Sequence, residues 1–190
     1  IIHISDYKPG KALNIGIENA IGEIIVIISA HCIPKNNNWL SSIIKPLDQD
    51  DIVGVYGRQL PLSSTSSEDA RDLYITFGPE KIHQKKNPFF HNANSAFRKT
   101  SWEEIKFDDE VNNIEDRLWA EQWIKRGKII CYEPEAEVYH HHGIHQYGNI
   151  KRADGTKNVL KKHYGEFITL DNIPSVVLDI SGLVMIKDSP

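Results

Sequence analysis

Cysteine is scarce in this sequence: 190 residues carry two, Cys32 and Cys131. Two thiols so far apart make no disulfide framework, and without a Cys-x-x-Cys pair they make no zinc knuckle. Each stands at the end of a predicted strand, so both are expected as small buried residues of a protein kept in a reducing compartment. Clustered basic residues are missing too. Lys and Arg total 22 against 26 Asp and Glu, and the one weakly basic stretch, Lys81 to Lys86, reads as solvated loop. No nucleic-acid partner is expected from such a balance. Nor is there a long hydrophobic run. The longest, Ile173 to Ile186, is broken by Pro174, Asp179 and Gly182 and is too short to span a bilayer. The first residues do not read as a signal peptide. A cytoplasmic location is expected, at the inner face of a membrane if there is peripheral attachment. Self-association stays open.

What is present suits a globular enzyme-sized domain. Apolar residues make up 40% of the chain and charged ones 25%, enough to bury a core. Ile1 to Ile4 alternates like the end of a strand, Lys8-Pro9-Gly10 signals a turn, and Lys11 to Ala20 has the apolar spacing of a helix that Gly22 stops. Ile24 to Ile28 is an unbroken β-branched run, the pattern of a strand covered on both faces in a parallel sheet. Strand, helix and strand make a βαβ unit, and the fold class expected is α/β. Further on, Trp39 to Leu47 and Glu68 to Phe77 read as helices, Ile52 to Tyr56 as a strand, and Asn92 to Arg98 as a strand or turn. Asn113 to Arg126 is a helix stopped by Gly127. Lys128 to Tyr132 and Ala136 to Tyr139 read as two short strands. Lys151 to Tyr164 is polar and helical in pattern, and Phe167 to Pro190 reads as short strands and turns. The expected division is a catalytic domain over 1–165 and a tail or linker over 166–190.

Several residue types with chemistry fall at predicted strand ends. Ser29-Ala30-His31 follows the apolar run directly, where ligands bind in open α/β sheets. A neutral imidazole there can ligate a divalent cation, or simply bond a nearby loop. Tyr139-His140-His141-His142-Gly143, with His145 close by, is a dense source of imidazoles. Neighbours on an extended chain point opposite ways, so not all of them reach one ion. Glu115-Asp116 opens a helix, where carboxylates are stabilised by the dipole; one of them can also act as a general base. Asn92-Ala93-Asn94-Ser95 can hydrogen-bond a sugar or cap a turn. Arg58, in Gly57-Arg58-Gln59-Leu60-Pro61, can neutralise a phosphate or pair with a carboxylate.

Taken in order, these segments resemble the bacterial family 2 glycosyltransferases, especially their rhamnosyltransferase-like branch. The resemblance runs from Gly10-Lys11-Ala12-Leu13-Asn14-Ile15-Gly16 through Ser29-Ala30-His31-Cys32-Ile33-Pro34, Gly54 to Pro61 and Asn94-Ser95-Ala96-Phe97-Arg98. It ends with Glu115-Asp116 and Tyr132 to His140, covering roughly residues 5 to 150. It implies a GT-A fold, Rossmann-like with a mostly parallel sheet and flanking helices, here expected without its first βαβ segment. It implies inverting transfer of a hexose or deoxyhexose from a nucleotide-sugar donor to a hydroxyl of a glycan or polysaccharide acceptor. It makes Asp116 the base with Glu115 beside it, and puts Lys11, Asn14, Arg58, Gln59, Asn94 and Ser95 along the donor and acceptor sites.

The family usually carries Asp-x-Asp after the buried strand, and Ser29-Ala30-His31 departs from it. The related polypeptide N-acetylgalactosaminyltransferases have Asp-Ser-His-Cys at this point, with the His and a later His as metal ligands. The ligands implied here are therefore His31 with His140 or His142, around Mn2+ or Mg2+; the loss of a carboxylate favours Mn2+. Two other readings remain. One is a catalytically degenerate carbohydrate-binding or scaffold module, favoured by the missing Asp. The other is an independent His-rich metal or hydrolase site, disfavoured because no His-x-x-x-His helix or nucleophile elbow accompanies it. With its first segment absent, the chain on its own is expected to be inactive.

Overall fold

The computed structural model describes residues 2–141 together with 158, 162, 176–178 and 184–186. The first regular element is a helix, α1 (Pro9–Glu18), entered through proline at its start, where a missing N–H costs nothing. The described residues before it form no strand, so the βαβ unit expected at the N-terminus does not form there. Then come β1 (Ile24–Ile28), β2 (Cys32–Pro34), α2 (Trp39–Ile44) with a 3-10 turn over Lys45–Asp48, β3 (Ile52–Pro61) and α3 (Ser67–Thr76). They are followed by β4 (Ile82–Gln84), β5 (Asn94–Arg98), α4 (Lys99–Glu104), α5 (Glu115–Lys125) and β6 (Ile129–His140). A separate antiparallel pair, β7 (Val176–Leu178) with β8 (Val184–Ile186), lies in the stretch expected to hold short strands.

Six strands make one sheet in the order β1-β5-β3-β6-β2, with β4 also on β6. The α/β class holds, but the sheet is mixed rather than mostly parallel. Among the described residues β3 and β6 are its parallel pair, and the other pairings are antiparallel. The apolar run of β1 was expected to be covered on both faces. Instead, among the described residues, β1 is an edge strand, with Ile24 and Ile28 exposed. The doubly covered strand is β3. On one face Val53 and Tyr56 join Phe77, Phe97, Trp102, Trp119 and Trp123 under α1, α3, α4 and α5. On the other Ile52 and Val55 join Ile43, Leu47 and Cys131 under α2. Each large apolar side chain so covered contributes roughly 1.5–3 kcal/mol, which concentrates the stability in the layers either side of β3.

β6 is one continuous strand where two were expected. Pro134 sits in it at the point where its register with β3 shifts, between Gly57 and Gln59. A proline that cannot donate to the ladder is tolerated at such an irregularity. The long strand then carries β4 on its first half, with Ile82 opposite Tyr132, and β2 on its last residues, with Cys32 opposite His140. That arrangement brings the C-terminal ends of β1, β3 and β6 to one rim of the sheet.

Candidate active site

At the end of β1 the chain turns sharply. The Ser29 N–H donates to Ala93 O at 3.0 Å, and the Cys32 N–H returns to Ser29 O at 2.9 Å. His31 is exposed at the tip of this turn, with Ser29 Oγ 3.1 Å from its Nε2. Because Cys32 lies opposite His140, the two imidazoles meet: their rings stack with centroids 4.9 Å apart and planes 11° off parallel. His140 is buried at 3% exposure, so one ring of the pair is fixed by the sheet and the other faces solvent. His141 is exposed, and its carbonyl accepts from Thr65 Oγ1. His142 lies outside the described residues.

Across the rim, α5 begins at Glu115 after Ile114, whose φ of 62° is left-handed. A β-branched residue disfavours that region, so the entry to this helix is set by its surroundings. Glu115 is buried and Asp116 half-buried. The Asp116 carboxylate is held at both oxygens: Oδ1 accepts the Arg117 N–H at 2.7 Å, and Oδ2 accepts the Asn92 N–H at 3.1 Å. Asn92 and Ala93 are consecutive, and Ala93 binds Ser29. Standard backbone dimensions therefore keep the Ser29 backbone and the Asp116 carboxylate within roughly 13 Å of each other. The imidazole pair and the carboxylate flank the same short segment.

The other residues expected at the site divide into two groups. Gln59 reaches the segment beside Asp116 through His91, and Arg58 turns toward a separate groove. Arg58 is half-buried on β3, donates Nε to Phe77 O at 3.1 Å and lies 3.4 Å from Glu137. Glu137 also holds Lys35 at 2.7 Å. Arg58 and Glu137 line a groove of about 460 Å³ with Asn36, Asn38, Ser42 and Glu135; neither His31 nor Asp116 lines it. Gln59 is buried, with Nε2 3.0 Å from His91 Nδ1. Lys11 is half-exposed on α1 and paired with Asp6 at 3.1 Å.

Asn14, Asn94 and Ser95, expected along the donor and acceptor sites, are engaged in hydrogen bonds within the fold. Asn14 Nδ2 donates to Phe107 O and Asp109 Oδ1, and its Oδ1 accepts from Trp102 Nε1 and the Phe107 N–H. Both donors and both lone pairs are engaged, so the side chain has nothing to offer a ligand. Asn94 is wholly buried and ties Ala136 O and Arg58 O to Trp39 Nε1. Gly57 makes room for it, since a Cβ there would come within 2.3 Å of Asn94 Nδ2. Ser95 is equally buried and donates to Asn92 Oδ1 at 3.1 Å. Asn92 and His91, which hold the segment in place, have no spacing signature. Only the tetrapeptide Asn92-Ala93-Asn94-Ser95 hinted at the first of them.

The donor set suits a divalent cation of intermediate softness. Imidazoles and a hydroxyl match Mn2+ better than Mg2+, which prefers oxygen ligands, but the exposed His31 ring would have to turn out of its stack on His140 for both to aim a lone pair at one ion. Among the described residues no group of three His, Cys, Asp or Glu side chains comes together. Electrostatic effects of burial show at the two thiols: desolvation pushes both Cys32 and Cys131 up to about 12. Both are free and buried, as the sequence led one to expect. Among the described residues no helix is long and apolar enough to cross a membrane.

Known proteins resemble this chain in sequence and fold. The chain is 26% identical over 153 residues to the O-antigen chain rhamnosyltransferase WbaN of Salmonella anatum, covering 75% of this chain and 49% of that protein. It thus spans about half the length of that relative. In fold it is similar to the mannosyltransferase PcManGT from Pyrobaculum calidifontis, solved with GDP-Man and Mn2+. The TM-score is 0.63 at 20% identity, covering 85% of this chain and 45% of the other. It is also similar to GalNAc-T7, solved with UDP, GalNAc and Mn2+, with a TM-score of 0.58 at 13% identity, covering 81% and 34%. These likenesses give the described residues the GT-A fold. Residues 1–106 match the family Glycosyl transferase family 2, and the chain belongs to that family.

Proposed function

We propose that this protein transfers a sugar, with inversion at the anomeric carbon, from a nucleotide-sugar to a hydroxyl of a glycan acceptor. The observation that carries the reading is the shared rim: the Asp116 carboxylate, oriented by two backbone N–H groups, flanks the same segment as the His31–His140 pair. Asp116 takes the acceptor proton as the hydroxyl oxygen bonds to the anomeric carbon. The bond from that carbon to the phosphate oxygen breaks, and the nucleoside diphosphate leaves with the electron pair. Glu115, buried in the first turn of α5, is assigned beside Asp116. His31 and His140 would hold a divalent cation, which supplies positive charge to the departing diphosphate when bound. Arg58 and Gln59 lie on the strand between these parts and are assigned to the substrate-facing wall. Lys11 is assigned to the nucleotide side.

A deoxyhexose is the sugar favoured, because a relative that shares 26% of its sequence over 153 residues is a rhamnosyltransferase of O-antigen chains. The catalytic unit is assigned to 1–165 and the remaining residues to a tail. Two free buried thiols fit work in a reducing compartment. The test is Asp116→Asn in the full-length protein, assayed with a rhamnose nucleotide for nucleoside diphosphate release. General-base help is typically worth about 10²–10⁴-fold, and a loss on that scale is expected. Turnover at the wild-type rate would remove Asp116 from its role.

A second reading is favoured by one feature. Ser29 stands where a carboxylate ligand is usual in the family, so a catalytically degenerate sugar-binding module fits the donor set too. Mn2+ titration separates the two. Binding that disappears in His31→Ala supports the enzyme, and a wild-type protein without Mn2+ affinity supports the module.

A further inference from the structure

The two bonds that hold Asp116 differ in kind. The one from Arg117 is local to the first turn of α5. The one from Asn92 joins the helix to a segment 24 positions away in sequence. That segment is itself anchored. Ser95 sits in β5 with Ile27 of β1 on one side and Tyr56 of β3 on the other. Its hydroxyl donates to Asn92 Oδ1 at 3.1 Å, and the serine has no exposed surface. The rest of the Asn92 amide is badly served: Nδ2 is buried without a hydrogen-bond partner among the described residues. Leaving a buried donor unsatisfied costs about 1–3 kcal/mol. The amide thus satisfies the Ser95 hydroxyl through its oxygen and leaves its own nitrogen unserved, so its bond to Ser95 is the contact that fixes it.

We propose that Ser95 and Asn92 are positioning residues for the Asp116 carboxylate. Ser95 fixes the Asn92 side chain to the centre of the sheet, and the Asn92 backbone N–H then sets the place of Asp116 Oδ2. The proposal rests on the reading of Asp116 as the base. Its physical content is that the rigid part of the molecule, the β1-β5-β3 ladder, is coupled to the first turn of α5 through one side-chain bond and one backbone bond. A carboxylate held at both oxygens offers its remaining lone pairs in one direction. Displacement by about 1 Å at a reacting group can cost on the order of 10²-fold in rate. This also gives the polar residues at 92 and 95 a use although neither is needed to touch a sugar.

The test compares Ser95→Ala, Asn92→Ala and Asp116→Asn in the full-length protein. Each is assayed for hydrolysis of a rhamnose nucleotide, with water in the acceptor's place. Ser95→Ala removes only the hydroxyl, and Asn92→Ala serves if that variant folds poorly. The expected result is kcat lowered about 10-fold with KM for the nucleotide unchanged within about 2-fold, since the affected group acts in the transition state and not in binding. A crystal structure of Ser95→Ala should show the Asn92 N to Asp116 Oδ2 contact lengthened past the hydrogen-bond limit of about 3.5 Å. Wild-type kcat in Ser95→Ala while Asp116→Asn is dead overturns the relay and leaves the base in place. Wild-type kcat in Asp116→Asn overturns the base, and the relay with it. A rise in KM with unchanged kcat also overturns the relay, because it would make these residues binding contacts.

Discussion

His31 and His140 stack face to face although one sits in a turn near the start of the chain and the other ends its longest strand. The contact follows from the register of β2 on β6, which sets Cys32 opposite His140 and so carries His31 over the imidazole. Replacement of either ring by alanine should weaken Mn2+ binding by at least about 10-fold, a loss of the size seen when metal-site geometry is disturbed. His31 is exposed, so its loss should leave the melting temperature nearly unchanged, within about 0.5 kcal/mol of stability. Titration followed by Mn2+ electron paramagnetic resonance reads the first effect and thermal denaturation the second.

Gly57→Ala should destabilise the protein. The added Cβ would meet Ala136 O and Asn94 Nδ2 at 2.3 Å, with the Ala136 Cβ at 2.9 Å. Two of these three atoms belong to the backbone or the first side-chain carbon and have no room to move away. Overpacking of this kind costs about 1–3 kcal/mol or more. For a chain of this size that lowers the melting temperature by roughly 2–4 °C per kcal/mol. Unchanged thermal stability would mean that β3 and β6 separate freely at their irregularity.

Asn14 and Lys11 make a useful contrast on one helix. Asn14→Ala strands the Trp102 indole N–H and the Phe107 N–H in the core, at about 1–3 kcal/mol each. Urea unfolding should show a midpoint well below that of the wild type. Lys11→Ala removes a solvent-facing ion pair with Asp6, worth about 0–1 kcal/mol, and should leave the midpoint almost where it was. If Lys11 meets the donor, its loss appears in KM for the nucleotide instead.

The thiols give a pH signature. Burial pushes Cys32 and Cys131 up to about 12 from an ordinary value of 9.0. Folded thiols stay protonated where unfolded ones ionise, so their contribution is complete below pH 9 and is lost as the pH rises from there toward 12. Stability should therefore fall on the alkaline side above about pH 9. Iodoacetamide at pH 8 should label neither cysteine in the native protein and both in denaturant. Labelling of native Cys32 would show that the β1–β2 turn opens.

The fold class and most elements were legible because hydrophobic period and turn residues are local signals. α1, α3, α5 and the starts of β3 and β6 lie within a few residues of where pattern alone put them. Partner identity was not legible. Ile24 to Ile28 has the composition of a central strand, yet among the described residues β5 is its one neighbour, and no local pattern says which strand has a neighbour on both sides. The polar residues were harder still. Asn94 and Ser95 share a segment with Asn92, and all three carry groups that suit a sugar. What separates them is which way the strand turns each side chain, together with a carbonyl of β6 waiting for one of them. Asp116 and His31 stand out only through the family resemblance, since a carboxylate at a helix start and an imidazole after a strand have ordinary structural uses as well.

Ile114 has a wider consequence. A residue that resists a left-handed backbone is held in it one step before the Glu115-Asp116 pair. A left-handed conformation costs an L-residue roughly 1–2 kcal/mol. Anyone seeking a hardier version of this protein would find Ile114→Gly or Ile114→Asn an obvious place to begin. The same change would slacken the joint that aims the carboxylate, so a gain in durability there should be accompanied by slower turnover.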